Sequence, residues 1–210
     1  MAERYKLLRE PITIGTCTIP NRIVRTAHAT GFAFGLVSDR LIAYHEARAR
    51  GGVGLHFLEI ASVHPSSPGS LMAWDDMVIE GLTTITERIH AHGSKVFQQL
   101  WHGGSNAKPF DGTPSWAPSD VPEPTYDTVP QPMSQGMIDE VVDGFGKAAL
   151  RCKAAGMDGV EIHGAHGYIL AQFLSPEINK RTDRYGGSRR PRGEWIRRHA
   201  FTAWSERNGR

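Results

Sequence analysis

Residues 157–188 read M-D-G-V-E-I-H-G-A-H-G-Y-I-L-A-Q-F-L-S-P-E-I-N-K-R-T-D-R-Y-G-G-S, and this stretch decides how the rest of the chain is read. It opens as a short strand over residues 159–163, in which Val160 and Ile162 alternate with Glu161 and His163. Period-two geometry sets Glu161 and His163 on one face, with His163 at the carboxyl end. Gly164, His166, Gly167 and Tyr168 follow, then an apolar run over residues 169–174 that suits one or two helical turns. Three side chains able to donate or exchange protons thus fall within six residues, among glycines that let backbone approach a ligand. A lone H-x-x-H reads as a solvated loop with a structural histidine. Placed just past a strand in a chain of alternating strands and helices, where active sites collect, it reads as function.

Working upstream, residues 10–22 alternate Ile and Thr about Gly15, as a small hairpin does. A short strand is expected at 23–26 and a helix over 39–50, with Ser38 as its cap, Leu41, Ile42, His45 and Ala49 at helical spacing, and Gly51-Gly52 as its stop. A second strand is expected at 53–60, a helix over 75–92 with Met77, Leu82, Ile85 and Ile89 as core positions, and a third strand at 95–100. Residues 101–134 carry seven prolines and read as a long functional loop. Ser134 then opens a helix in which Ile138, Val141, Val142, Phe145, Ala149 and Cys152 keep the helical rhythm, closed by Gly156. Strand and helix in strict alternation imply right-handed βαβ crossovers and a parallel sheet. No G-x-G-x-x-G follows any strand, which argues against a dinucleotide-binding fold. The fold class is therefore α/β, the N-terminal part of a (β/α)8 TIM barrel with about four βα units.

Composition narrows the classes further. At 210 residues, with 40% hydrophobic and 22% charged residues, the chain is that of a globular protein. No apolar run approaches the ~18 residues of a membrane span, and residues 1–9 are too polar for a signal peptide, so no membrane partner is expected. Cys17 and Cys152 are far apart with no C-x-x-C, which gives no disulfide or thiolate metal site and fits a cytoplasmic location. The net charge of +2 is uneven: residues 189–210 carry +5, leaving −3 for residues 1–188. With no basic stripe in the body, a nucleic-acid partner is not expected, and a small-molecule substrate is. The oligomeric state is left open.

In a barrel the carboxyl ends of the strands converge on one mouth. Here they bring Thr26, Ala27 and His28, then Glu59 and Ile60, then Gln99 and His102, then residues 163–168. A flavin ring needs polar edges met by amides and hydroxyls, an apolar face and a nearby proton relay. Gln99 offers an amide to the pyrimidine edge, and the small residues Ala27 and Ala29 permit close stacking. His163 and His166 can polarise a carbonyl oxygen, and Tyr168 can protonate the carbon α to it. Other readings stand beside this one. Gln99 can be a barrel-layer amide, and His28 and His102 hydrogen-bonded loop residues. Glu59 and Glu161 can be a glycosidase pair or buried acids tied to backbone donors. His102, His163 and His166 can be metal ligands, though without a clustered Asp.

The words E-I-H-G-A-H-G-Y, Q-F-L-S-P and N-K-R-T-D-R-Y-G-G-S resemble the signature of the old yellow enzyme family of FMN oxidoreductases, in the branch of 2,4-dienoyl-CoA reductase and trimethylamine dehydrogenase. The resemblance runs from about residue 8 to Ser188 and implies FMN as cofactor and NAD(P)H as electron donor. Hydride would pass to an enone or enoyl thioester, although some members oxidise N-methyl amines. It further implies that His163 and His166 are the substrate-binding pair, Tyr168 the active-site tyrosine and Gln99 the flavin-binding glutamine. Thr26, Ala27, His28 and Ile60 fall where the first two strands meet FMN. Ala27 departs from the usual proline, and Ala29 leaves no thiol for a cysteinyl flavin there. R-T-A-H and Q-L-W-H-G-G are closer to the amine-dehydrogenase side, where His102 aligns with an aromatic position.

After Y-G-G-S the family continues with an L-E-N-R helix and four more strands, whereas this chain reads R-R-P-R-G-E-W-I-R-R-H-A-F-T-A-W-S-E-R-N-G-R. The expectation is a truncated half-barrel domain over residues 1–188 followed by an aberrant basic tail over 189–210, without the loops after strands seven and eight that commonly hold a cofactor phosphate. The rival reading is a half-barrel with no catalysis of its own.

Overall fold

The computed structural model describes residues 5–124 and 128–187; the basic tail read over 189–210 lies outside the described residues. The chain enters through a short helix α1 (Lys6–Arg9) and an antiparallel hairpin, β1 (Ile12–Ile14) and β2 (Cys17–Ile19), turned at Gly15. Strand β3 (Val24–Arg25), helix α2 (Asp39–Arg50) and strand β4 (Leu55–Ser62) follow, with β5 (Leu71–Met72) lying along the end of β4. Then come α3 (Val78–His90), β6 (Lys95–Trp101), a two-stranded clip of β7 (Trp116–Ala117) and β8 (Gln131–Pro132), α4 (Gln135–Ala154), β9 (Gly159–Ile162) and α5 (Ile169–Leu174). The main sheet runs β3-β4-β6-β9 with every pair parallel, so the strands' carboxyl ends lie along one edge.

The helices start and stop where their caps dictate. The Ser38 hydroxyl accepts the Leu41 N–H at 3.1 Å, and the Ser134 hydroxyl accepts that of Met137 at 3.2 Å, each taking up one of the free N–H groups of a first helical turn. Gly156, at φ +75°, turns the chain out of α4 into β9. The core lies between the sheet and its helices. Leu58, Ala61, Val96 and Leu100 from the strands meet Leu41, Leu82, Ile85, Ile89, Ile138 and Cys152. A smaller cluster of Ile19, Leu55 and Phe97 seats the hairpin under the amino ends of the strands.

Three expectations shift. Strand β4 runs two residues later than expected, because a bulge between Leu58 and Ala61 lets it stay paired with β6 as far as Ser62 and Trp101. Met77 is not a core residue but 70% exposed: its N–H bonds the Asp75 carboxylate at 2.8 Å, and the helix begins one residue later at Val78. The segment 101–134 is not structureless either, since β7, β8 and a 3-10 turn at Gly104–Asn106 fold it onto the body.

The β6–β9 register is fixed at its amino end by Asp158. Its carboxylate accepts from the Val96 N–H (2.9 Å), Lys95 Nζ (2.8 Å) and His90 Nε2 (2.6 Å), and its own N–H bonds the Val96 carbonyl. Burial pushes the Asp158 carboxyl up, but these bonds outweigh it and hold it below the usual range. Gly159 lets the Phe97 ring lie close over the strand, since a Cβ there would stand 2.7 Å from it and force the ring to shift.

Two close fits generate predictions. Gly144, inside α4, faces the Val63 carbonyl oxygen, which a Cβ would meet at 2.7 Å. Ala is favoured over Gly in a helix by up to about 1 kcal/mol, but a backbone atom cannot give way, so Gly144→Ala should lose about 1–3 kcal/mol net. A lower urea midpoint at unchanged m-value would record it. Separately, His45 and His56 are fully buried with their Nδ1 atoms 3.4 Å apart, and burial, then the Arg25 charge, pushes them down to about 3 and about 4. Unfolded imidazoles titrate near ~6.5, so protonation favours the unfolded chain. Stability should fall as pH drops from about 6.5 toward 4, by up to about 1.4 kcal/mol per unit for each ring. Urea midpoints at pH 7 and 4.5 should therefore differ, and the His45→Gln/His56→Gln double variant should shrink that difference.

Candidate active site

At the carboxyl end of β9 the chain turns through Gly164, Ala165, His166 and Gly167. The His163 N–H bonds the Leu100 carbonyl at 3.0 Å, extending the ladder one residue past the strand. His163 Nδ1 accepts the Ala165 N–H at 3.2 Å, so its proton sits on Nε2, which points at His166 Nδ1, 3.2 Å away. His166 holds φ +57°, the left-handed region that L-residues avoid outside functional or tightly turned sites. Its Nδ1 accepts, so its Nε2–H faces solvent. The two rings lie 5.0 Å apart, edge to face, and Tyr168 stands 4.9 Å from His163 and 6.3 Å from His166. Burial, then the nearness of the His166 ring, lowers the His163 pKa from its ordinary value. Sequence reasoning brought these three residues together but aimed both histidines at one point; here they bond each other.

Next to them lies an open ledge. Gln99 on β6 is the register partner of Glu161 on β9, and its Nε2 donates to Glu161 Oε2 at 2.7 Å. Ile60 and Ala27 are half-buried, while Thr26, His28 and Ala29 are exposed beyond the end of β3. Trp101, not singled out from sequence, is buried with its ring edge to face with that of Tyr168, 5.2 Å apart. The His28 ring is held by Arg25 Nη2 at 3.1 Å, and the same guanidinium lies 5.3 Å from the centre of the Tyr44 ring. Glu59 is buried and taken up by the Thr30 N–H (3.0 Å) and hydroxyl (2.9 Å), as a structural acid is. His102 stands apart from His163 and His166 in role. Its Nδ1 accepts the Gly104 N–H (3.1 Å) and its Nε2 donates to Ser66 Oγ (3.0 Å), which leaves no lone pair for a metal. Burial lowers its pKa to about 3. Among the described residues no three His, Cys, Asp or Glu side chains converge on a metal position.

With this geometry in place, the family follows from comparison. The model of the NADH:flavin oxidoreductase / NADH oxidase family matches residues 7–198. The chain belongs to this family. It is 43% identical over 183 residues to the NADH oxidase of Thermoanaerobacter brockii, covering 83% of this chain and 28% of that protein. It is also 43% identical over 192 residues to the NADPH dehydrogenase of Halalkalibacterium halodurans, covering 88% of this chain and 55% of the relative. Its fold matches 2-naphthoyl-CoA reductase with a TM-score of 0.91 at 27% identity, over 98% of this chain and 34% of the other. Against old yellow enzyme from Pichia sp. AKU4542 the TM-score is 0.85 at 30% identity, over 94% and 56%. The chain thus spans between 28% and 55% of the length of these curated relatives, and its four parallel strands are the N-terminal part of a (β/α)8 barrel. The family match runs on to residue 198, past Ser188, where the motif resemblance ends.

In this NADH:flavin oxidoreductase family member, much of the signature is scaffold. Gln172, buried in α5, donates to the Gly103 (3.2 Å) and Gly167 (2.7 Å) carbonyls and accepts the Ser105 N–H (3.0 Å). It thereby ties the loop after β6 to the turn that carries His166. Gly104 at φ +63° leaves room for it, since a Cβ there would overlap the Gln172 amide. In N-K-R-T-D-R-Y-G, Asn179 Nδ2 donates to the Phe173 and Tyr185 carbonyls at 2.7 Å each. The Arg181 guanidinium reaches the Pro118 (3.0 Å) and Met133 (2.7 Å) carbonyls, clasping the long loop. Gln172→Leu should leave the buried Ser105 N–H unpaired and take one donor each from the Gly103 and Gly167 carbonyls, lowering stability by about 1–3 kcal/mol. Faster amide exchange confined to residues 103–106 and 164–168 should accompany the loss, whereas uniform exchange across the sheet would remove Gln172 as a local tie.

Proposed function

We propose that this chain forms the flavin- and substrate-facing wall of an FMN-dependent oxidoreductase that carries reducing equivalents from NAD(P)H to the β-carbon of an α,β-unsaturated carbonyl or enoyl thioester. The observation that carries the reading is the cluster of His163, His166 and Tyr168, with rings 4.9–6.3 Å apart, beside the ledge of Ala27, Ile60 and Gln99. The donor chemistry of the ledge fits the ring of FMN: Thr26 and Gln99 supply a hydroxyl and an amide for polar edges, and Ala27 and Ile60 supply apolar ground. Bound there, FMN would supply hydride transfer between the nicotinamide and the acceptor.

The remaining work falls to the chain's own side chains. The free Nε2–H of His166 can meet a carbonyl oxygen. As negative charge develops on it, such an oxygen becomes a better acceptor than His166 Nδ1 and would draw the Nε2–H of His163 to itself. Both bonds strengthen as the oxygen gains negative charge. The Tyr168 hydroxyl has no hydrogen-bond partner among the described residues and is free to protonate the carbon α to the carbonyl. Two N–H donors complement an oxygen rather than an ammonium group, which favours a carbonyl acceptor over an N-methyl amine.

Titrating the 210-residue chain into FMN and following flavin fluorescence tests the reading. Saturable quenching is expected, and unchanged fluorescence at about 100 μM protein would sink it. In the FMN-loaded protein, Tyr168→Phe should slow enone reduction by about 10²-fold while leaving flavin reduction by NAD(P)H in place. His163→Ala or His166→Ala should each cost roughly 2–4 kcal/mol in kcat/KM, and the pair less than the sum, because both act on one atom.

A further inference from the structure

The parallel ladder between β6 and β9 sets Gln99 opposite Glu161, and the pair is joined at 2.7 Å from Nε2 to Oε2. Both side chains are half-buried on the face that leads to His163. An amide left to itself turns either end to a ligand, because rotation about its last bond exchanges oxygen for nitrogen at little cost. A carboxylate only accepts, so it admits one orientation of its partner. Turning Gln99 over would bring two oxygens together at hydrogen-bond distance. The NH2 end is therefore committed to Glu161, and the carbonyl oxygen Oε1 is left, with no donor among the described residues reaching it. The neighbouring Gln98 cannot substitute, since it is fully buried and its Nε2 is spent on the Glu59 and Gln99 carbonyls.

We propose that Glu161 is a positioning residue that locks the Gln99 amide with its carbonyl oxygen as the ligand-facing end, so that the ledge selects a ring edge bearing an N–H. This rests on the flavin reading above and refines it. The imide N–H of an isoalloxazine is such an edge, flanked by two carbonyls that a flipped Gln99 would otherwise attract through its NH2. Specificity here comes from fixing one group rather than adding a contact, because the wrong edge is refused when a buried acceptor meets another acceptor.

Two measurements on the full chain separate this inference from the reading it rests on. The first needs no ligand. In ¹⁵N-labelled protein the Gln99 side-chain NH2 signals, assigned with Gln99→Leu, should shift and exchange faster in Glu161→Gln and Glu161→Ala, while the backbone signals of β6 and β9 stay in place. Unmoved Gln99 signals would overturn the lock. The second compares the affinities of FMN and N3-methyl-FMN. The parent chain should prefer FMN by at least about tenfold, and Glu161→Gln should reduce that preference to about threefold or less. The exchanged pair, Gln99→Glu with Glu161→Gln, again presents only an acceptor and should recover the preference, which a merely structural role for Glu161 would not produce. An equal preference in the parent and in Glu161→Gln would overturn the edge selection. If the parent bound neither flavin, the flavin reading would fall and the edge selection with it, while the NH2 signals would still decide whether Glu161 holds Gln99.

Discussion

The register between β6 and β9 is the constraint on which this molecule's chemistry hangs. Side chains alternate faces along a strand, so a slip of β9 by one residue would turn Glu161 and His163 away from the mouth and from Gln99. The chain guards against that slip at both ends. Asp158 collects a backbone N–H, a lysine and a histidine at the amino end, and the His163 N–H closes on the Leu100 carbonyl at the carboxyl end. Between them Gly159 lets the strand come close over the Phe97 ring. A polar clamp, a missing side chain and one further ladder bond do together what a four-residue strand could not do alone.

Much of this was legible in the sequence because it is local. Ser38 and Ser134 announce their helices, Gly156 ends one, and alternation about Glu161 puts His163 at the strand's end. Where the reading slipped, a tertiary partner had overruled the local pattern. Met77 matches the helical rhythm, yet Asp75 takes its N–H and the core begins at Val78. The bulge in β4 moves that strand's end without a glycine or proline to mark it. The mutual bond of His163 and His166 depends on where one backbone N–H, that of Ala165, happens to point, and no spacing rule contains that. Gln172 and Asn179 read as parts of a motif, but their work is on carbonyls of distant loops that sequence does not number.

Stability and function divide the labour unevenly across the sheet. The side packed on helices is apolar and close-fitted, as Gly144 against Val63 illustrates. The opposite side carries a left-handed His166, half-buried amides and acids, and the exposed Thr26, His28 and Ala29. Strain and open polar surface of this kind cost stability and are kept where a ligand is to be met. The clasp made by Asn179 and Arg181 holds the rim of that face without entering it.

The hydrogen-bonded file that begins at His102 has a chemical consequence of its own. Gly104 N–H occupies His102 Nδ1 and Ser66 N–H occupies His64 Nδ1, so the hydroxyl of Ser66 accepts from the first ring and donates to the second. Neither imidazole keeps an unshared lone pair, and His45 and His56 are sealed from solvent altogether. An acylating reagent such as a pyrocarbonate attacks a neutral ring through that lone pair. By that measure His163 is closed as well, its Nδ1 taken by the Ala165 N–H, and the exposed His28 and His166 each have their one lone pair engaged, by Arg25 and by His163. The fold has spent the lone pairs of these described rings internally, and what His166 turns outward at the mouth beside Tyr168 is an N–H.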